Sequence, residues 1–120
     1  MQVDQNFLLG GNKLLKLIEP GTVRKILRGS QFIKVRENQV LYKEGDPARN
    51  HSYIVLIGQL TLHSNYYQKV CTVDRGDTLG EEGLFESDNV VRKETATAKG
   101  NDAFVVELMK ENIDKLDQEL

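Results

Sequence analysis

Between Ser30 and Met109 the chain is a succession of short segments in which apolar and polar residues alternate. A period of two places the apolar side chains on one face of a β-strand. Turn-forming residues at positions 45–47 and 74–77 separate several of these segments, and clusters of Gly, Asp and Pro end strands. The spacing predicts an antiparallel sandwich or jelly roll.

Helical patterns are short and lie at the two ends of the strand region. Residues 14–18 form a first apolar face, and a second short helix is expected to begin with Thr22 as its N-cap and to stop near Gly29. Residues 112–116 start a last helix. The predicted fold class is therefore mainly β with flanking short helices, an α+β arrangement built on an antiparallel β-roll or jelly roll.

Length and charge bound the function. A chain of 120 residues suits one domain with one hydrophobic core, with residues 1–12 as a loose lead-in and residues 13–120 as the domain. A net charge of −2 argues against general nucleic-acid binding, because affinity for the phosphate backbone comes from clustered Lys and Arg. No apolar run approaches the ~20 residues that span a bilayer, and no signal peptide is visible. We expect a cytoplasmic protein without membrane insertion.

Reactive side chains are sparse. Cys71 is the one cysteine, so no intrachain disulfide and no thiolate zinc site can form, and its place in an alternating run predicts a small apolar strand residue. His51 and His63 stand far apart, without the clustered His and carboxylate ligands that a metal-dependent β-roll enzyme needs. We expect both histidines to face solvent, His51 in a loop, and we predict neither a metal site nor catalytic residues.

The stretch over residues 79–85 reads Leu-Gly-Glu-Glu-Gly-Leu-Phe, and Arg92 follows it just before a β-type run at residues 95–98. Backbone N–H groups at the start of a helical turn attract anions, and a guanidinium grips phosphate oxygens in a fork. A carboxylate nearby accepts hydrogen bonds from a sugar hydroxyl. Glu81 and Arg92 together therefore suit a ribose that carries a phosphate.

This order and spacing resemble the phosphate-binding cassette of the cyclic nucleotide-binding domain family, which occurs in kinase regulatory subunits, channels and bacterial cAMP-dependent activators. Residues 40–46 resemble the turn of that family that ends in Glu-Gly-Asp, and residues 53–60 resemble a strand pair that begins with Tyr. The resemblance implies an eight-strand roll and a regulatory, signalling role without catalysis. It also implies no cofactor apart from a purine 3′,5′-cyclic nucleotide as regulatory ligand, with cAMP slightly favoured over cGMP.

The resemblance further implies which residues contact the ligand. Glu81 matches the family glutamate that binds the ribose 2′-hydroxyl, and Arg92 matches the arginine that binds the cyclic phosphate. Gly80 and Gly83 match positions where a small residue lets backbone N–H groups approach the phosphate. The full set of predicted contacts is Gly80, Glu81, Glu82, Gly83, Leu84, Arg92, Lys93 and Thr95.

Departures from the family pattern keep a second interpretation open. Glu82 stands where a small or aliphatic residue is usual, Lys93 fits neither base preference, and Glu94 stands where Ala is usual. The same fold without nucleotide binding would serve as a protein-interaction or structural module. In both interpretations the partner is a protein or an adjoining effector domain. Direct binding to nucleic acid is not expected, because nothing after the roll is long enough for a helix-turn-helix.

Overall fold

The computed structural model describes Asn12, residues 19–85 and residues 90–112. The expected first helix at residues 14–18 lies outside these residues, as does most of the last predicted helix and of the lead-in. The helices with assigned bounds are α1 (Pro20–Arg28) and α2 (Glu82–Phe85), and residues 110–112 are also helical. The strands are β1 (Gln31–Val35), β2 (Val40–Tyr42), β3 (His51–Ile57), β4 (Leu60–Ser64), β5 (Lys69–Val73), β6 (Thr78–Leu79), β7 (Thr95–Thr97) and β8 (Ala103–Met109).

The strands form two four-stranded sheets in the described part of the chain. The first has the order β1-β8-β3-β6 and the second β2-β7-β4-β5. Every strand pair is antiparallel, and the crossovers between sheets close a β-roll. The fold class predicted from the alternation is therefore confirmed.

Strand β3 is buried on both faces, and its alternation explains the two layers of the core. Tyr53 and Val55 face the second sheet and belong to the core between the sheets. Ile54 and Leu56 face the other way and pack against apolar side chains of α1, α2 and β8. One strand thus fixes both the interior of the roll and the helices on its outer surface.

The N-cap of α1 differs from the prediction. Glu19, rather than Thr22, caps the helix, because its side chain accepts hydrogen bonds from the backbone N–H groups of Gly21 at 3.0 Å and Thr22 at 3.1 Å. Pro20 at the first helical position favours this start, since its fixed φ suits a helix and its missing N–H needs no partner. The bond from Gly21, followed by that from Thr22, lowers the pKa of Glu19. Gly29 ends the helix, as predicted.

Two further residues of the sequence prediction have defined places. Asn12 is buried, and its Nδ2 donates hydrogen bonds to the Gly76 carbonyl and to Thr78 Oγ1, each at 2.7 Å. The last residue of the expected lead-in is thereby attached to the turn before β6. Cys71 lies in β5, partly buried against the core between the sheets, which agrees with an apolar structural role.

Candidate functional site

The first half of the cassette is a tight turn between β6 and α2. Gly80 has a φ of +69°, in the left-handed region that favours glycine. Gly83 has no room for a side chain, because a Cβ there would overlap the backbone carbonyl of His51. Gly80 therefore permits the tight turn, and Gly83 lets α2 approach the start of β3 closely.

Arg92, in the second half of the cassette, is only 3% exposed and faces inward. Its Nη1 donates a hydrogen bond to the carbonyl of Gly80 at 3.0 Å. Its Nη2 donates to the carbonyls of Ala48 at 3.0 Å and His51 at 2.8 Å. The guanidinium thus joins both halves of the cassette to the loop between β2 and β3.

Two tyrosines cover the guanidinium. Arg92 Cζ lies 4.5 Å from the ring centroid of Tyr42 and 5.6 Å from that of Tyr53, which places the cation within reach of both π-systems. Burial, followed by the Glu107 charge, raises the pKa of Tyr53 to about 12. Burial and then the Glu82 charge raise the pKa of Tyr42 as well. Both tyrosines are therefore neutral at ordinary pH.

The prediction that His51 is a solvent-facing loop residue is wrong. His51 is the first residue of β3, partly buried, and its Nδ1 lies 3.5 Å from Glu107 Oε2 on the neighbouring strand β8. The ladder with β8 holds its backbone in place, and its carbonyl accepts the shortest of the Arg92 hydrogen bonds. His51 thus acts on the site through its main chain.

The other predicted contacts lie in different environments. Glu81 and Lys93 are exposed, whereas Leu84 is buried among the apolar residues on the outer face of the first sheet. Thr95 is partly buried, and its Oγ1 accepts a hydrogen bond of 2.9 Å from the backbone N–H of Glu44. Gly80, Glu82 and Arg92 therefore form the part of the predicted set that the fold brings closest together.

Acidic side chains surround this group. Glu82 Oε1 lies 3.9 Å from Arg92 Nη1, an ion pair that is too long for a hydrogen bond. Glu94 pairs with Lys69 at 3.6 Å and not with Arg92. Burial, followed by the charges of Glu82 and Glu94, raises the pKa of Glu81. The site therefore combines one buried cation with three nearby carboxylates.

An open cavity of about 280 Å³ lies beside the guanidinium, near the lower end of the ~300–1,000 Å³ typical of ligand pockets. Its wall consists of the loop between β2 and β3, both tyrosines and Arg92. Of the predicted ligand contacts, Arg92 alone lines it. The exposed Glu81 stands outside this wall.

The sequence interpretation missed the groups that hold Arg92. Tyr42 and Tyr53 both lie on strand faces that point into the roll, so the period-two pattern contains a signal for them. The carbonyls of Ala48 and His51 carry no such signal, because any residue supplies a backbone oxygen. Their role depends on the packing of distant segments.

Other kinds of site find no support in the described residues. Within residues 12, 19–85 and 90–112 there is no group of three or more His, Cys, Asp or Glu side chains that could hold a metal ion. Over the same residues, no helix has the length and apolar character needed to cross a membrane.

Comparisons with known proteins point in one direction. The family model of the cyclic nucleotide-binding domain matches residues 32–119. A cyclic nucleotide-binding-like protein from Brucella abortus has a TM-score of 0.77 at 24% identity, over 96% of this chain and 98% of that one. The regulatory domain of Toxoplasma gondii PKA with cAMP has a TM-score of 0.79 at 23% identity, over 92% of this chain and 42% of that one.

A third similar structure is the N-terminal domain of a transcriptional regulator from Streptomyces coelicolor A3(2). It has a TM-score of 0.78 at 21% identity, over 93% of this chain and 80% of that one. At these identities the likeness shows the fold alone. No curated protein sequence gives a significant match.

Proposed function

This chain belongs to the cyclic nucleotide-binding domain family, and we propose that it is a regulatory domain that binds a purine 3′,5′-cyclic nucleotide. The observation that supports this most directly is the placement of Arg92. Its buried guanidinium bonds to Gly80 of the cassette and lines an open cavity. A preorganised cation at a glycine turn is the chemistry that a cyclic phosphate requires.

In this proposal Arg92 binds the phosphate through the N–H groups that are not bonded to backbone carbonyls. A guanidinium has five N–H donors, and three are used on the carbonyls of Gly80, Ala48 and His51. These three bonds leave Nε–H and one Nη1–H, and the side chain of Tyr53 also lies within hydrogen-bonding reach of the guanidinium. A phosphate oxygen placed on these donors receives charge-assisted hydrogen bonds from a side chain already held rigid, so little ordering entropy is lost.

Glu81 binds the ribose 2′-hydroxyl in the same proposal. Its carboxylate is exposed and follows Gly80 directly, so a sugar attached to the bound phosphate reaches it from the solvent side. Although the residue is exposed, partial desolvation of its carboxylate, followed by the Glu82 and Glu94 charges, raises the pKa of Glu81, and a hydroxyl donor would stabilise the charged form.

Signal output is assigned to a protein partner or an adjoining effector domain. The Toxoplasma gondii PKA regulatory chain is more than twice as long as the segment that this chain matches. The resemblance slightly favours cAMP over cGMP, and titration with both nucleotides tests that preference.

The test is isothermal titration of the purified chain with cAMP, cGMP and, as a control, 5′-AMP, which lacks the cyclic phosphate. We expect saturable heat with at least one cyclic nucleotide and at least about tenfold weaker binding for Arg92→Lys, which keeps a charge but loses the fork. Glu81→Ala should weaken binding and reduce discrimination against 2′-deoxy analogues. Absence of binding to millimolar cyclic nucleotide by the folded wild type would refute the proposal.

A second candidate function has its own supporting observation. The guanidinium of Arg92 already satisfies three carbonyls and has Glu82 at 3.9 Å, so it is stable without an anion. A domain that retains the arginine for folding alone would be an interaction module. In that case cyclic nucleotides produce no heat of binding and do not stabilise the chain against thermal unfolding, and the ligand of the domain is a protein.

A further inference from the structure

Glu94 lies just before β7, at a position that continues the alternation of that strand. Ala96 and Ala98, two and four residues further on, are fully buried in the core between the sheets. Glu94 itself lies in the bend that leads into β7 and is partly buried, with 24% of its side chain exposed. Its charge reaches the site, because burial and then nearby carboxylates that include Glu94 raise the pKa of Tyr42 and Glu81.

The two carboxylate oxygens of Glu94 have different surroundings. Oε1 lies 3.6 Å from Nζ of Lys69, at the start of β5. Oε2 is buried, and no described residue gives it a hydrogen bond. A buried acceptor without a donor is unfavourable, more so when it is charged, and native structures rarely leave one without a reason. A ligand that brings an N–H group to Oε2 would supply the missing donor.

We propose that Glu94, with Lys69 beside it, reads the purine base and makes the domain select cGMP over cAMP. The inference rests on the proposed function, because the base reaches Glu94 only when Arg92 holds the phosphate and Glu81 the ribose.

The selection follows from the order of donors and acceptors on the two bases. The edge of guanine presents the O6 acceptor, then the N1–H donor, then the 2-amino donor. The Lys69–Glu94 pair presents a donor followed by two acceptors, so the two patterns match. In the same pose, adenine sets its 6-amino group against the ammonium and its N1 lone pair against the carboxylate. Both contacts are then repulsive, and a site built for a donor strongly rejects a ligand that lacks it.

This reading opposes the slight preference for cAMP that the family resemblance implies. At the position after the arginine, Lys93 is exposed and fits neither base preference of the family. Glu94 stands one residue further on and has one buried carboxylate oxygen. We therefore assign recognition of the base to Glu94 and not to Lys93.

The test is competition calorimetry on the full chain with cGMP, cAMP and inosine 3′,5′-cyclic monophosphate, which keeps N1–H but lacks the 2-amino group. We expect cGMP to bind at least about tenfold more tightly than cAMP, with the inosine nucleotide between them. Glu94→Gln keeps the shape and supplies an amide that suits adenine, so the ratio of cGMP to cAMP affinity should fall at least about tenfold. Glu37→Gln, at an exposed turn residue, is the matched control and should leave the ratio unchanged.

Three outcomes separate the possibilities. A cGMP preference that Glu94→Gln removes and Glu37→Gln keeps supports the inference. Binding of both nucleotides with a ratio that Glu94→Gln does not change overturns the role of Glu94, although the proposed function stands. No binding of any of the three nucleotides to the folded wild type and the folded Glu94→Gln variant overturns both. Thermal unfolding of each variant confirms that the fold is intact.

Discussion

Two charged side chains only two residues apart have opposite environments in this fold. At the arginine end, which comprises Arg92, Tyr42, Tyr53 and the carbonyls of Ala48 and His51, the cation has three hydrogen bonds and two aromatic neighbours. At the glutamate end, which comprises Glu94 and Lys69, the anion has one lysine at 3.6 Å and a buried oxygen with no partner among the described residues.

The difference teaches how one site can serve both folding and recognition. Where the polar group is satisfied by the protein itself, the free energy of its contacts goes into the folded state, and a ligand adds to a rigid centre. Where a buried acceptor has no donor in the protein, a bound ligand can supply the missing hydrogen bond. We therefore expect mutations at the arginine end to affect stability first, and mutations at the glutamate end to affect ligand choice.

The largest expected effect is that of Arg92→Ala on stability. Removing the guanidinium deletes three hydrogen bonds from a charged donor, and bonds of this kind contribute about 1.5–3 kcal/mol each. The carbonyls of Gly80 and Ala48 keep a second donor, the backbone N–H of Gly83 and of His51, so the loss is smaller than the sum. The free energy of unfolding should fall by roughly 3 kcal/mol or more, measured by urea denaturation. Glu94→Gln should change it by less than about 1 kcal/mol. Equal losses for the two variants would break the contrast between the two ends.

Gly83→Ala should have the second-largest effect on stability, because its side chain would force α2 away from the arginine end. The added methyl group would overlap the His51 carbonyl, one of the acceptors for Arg92, so the helix must shift at a cost of about 1–3 kcal/mol. Gly29→Ala is the control, since a Cβ there meets Asn112 Nδ2 at an ordinary 3.5 Å and its φ is −89°. Denaturation curves that place both variants at the same midpoint would contradict the close approach.

How far the sequence anticipates these features depends on the distance over which each contact acts. The strands and the cassette turn could be predicted, because alternation and the order of Gly80, Glu81 and Arg92 are local signals. The contacts of Arg92 with the carbonyls of Ala48 and His51 could not, because these residues lie more than forty positions away in sequence. Leu84 illustrates the same limit, since a four-residue helix gives no periodicity from which to tell a ligand-facing side from a core-facing side.

A third, smaller effect appears at alkaline pH and belongs to the arginine end alone. Burial raises the pKa of Tyr42 and Tyr53 above the value near 10 that applies to the unfolded chain. Between pH 10 and about 12 the folded chain holds more protons than the unfolded one, so the free energy of unfolding falls as pH rises. Tyr53→Phe should flatten this fall, and Tyr66→Phe on the exposed hairpin should not. Identical pH profiles for both variants would contradict the assignment.

The smallest effect tests whether the arginine end is open to a ligand at all, through Glu82. Its carboxylate lies 3.9 Å from Arg92 Nη1 and is largely buried, so it stands close to the donors that we assign to the phosphate. A bound phosphate adds negative charge there, and at an effective dielectric constant near 20 two like charges ~4 Å apart repel by about 4 kcal/mol before screening and rearrangement. Rotation of Glu82 toward solvent removes most of this, so we expect Glu82→Gln to tighten cyclic nucleotide binding by roughly threefold to tenfold.

The same substitution also removes a buried ion pair. Breaking such a pair typically costs about 3–5 kcal/mol when the remaining charge is left uncompensated. Because Arg92 keeps its three carbonyl acceptors, we expect the free energy of unfolding to fall by only about 1 kcal/mol. If Glu82 competes with the ligand, Glu82→Gln should therefore raise the affinity for cyclic nucleotide, measured by titration calorimetry. The same variant should lower the free energy of unfolding, measured by denaturation. Glu37→Gln, at an exposed turn residue outside the cassette, should alter neither quantity. Weaker binding by Glu82→Gln would mean that its carboxylate holds Arg92 in the posture that the phosphate needs. The orientation of Arg92 would then depend on the Glu82 carboxylate. In that case the two ends would differ only in how much their mutations change the free energy of unfolding.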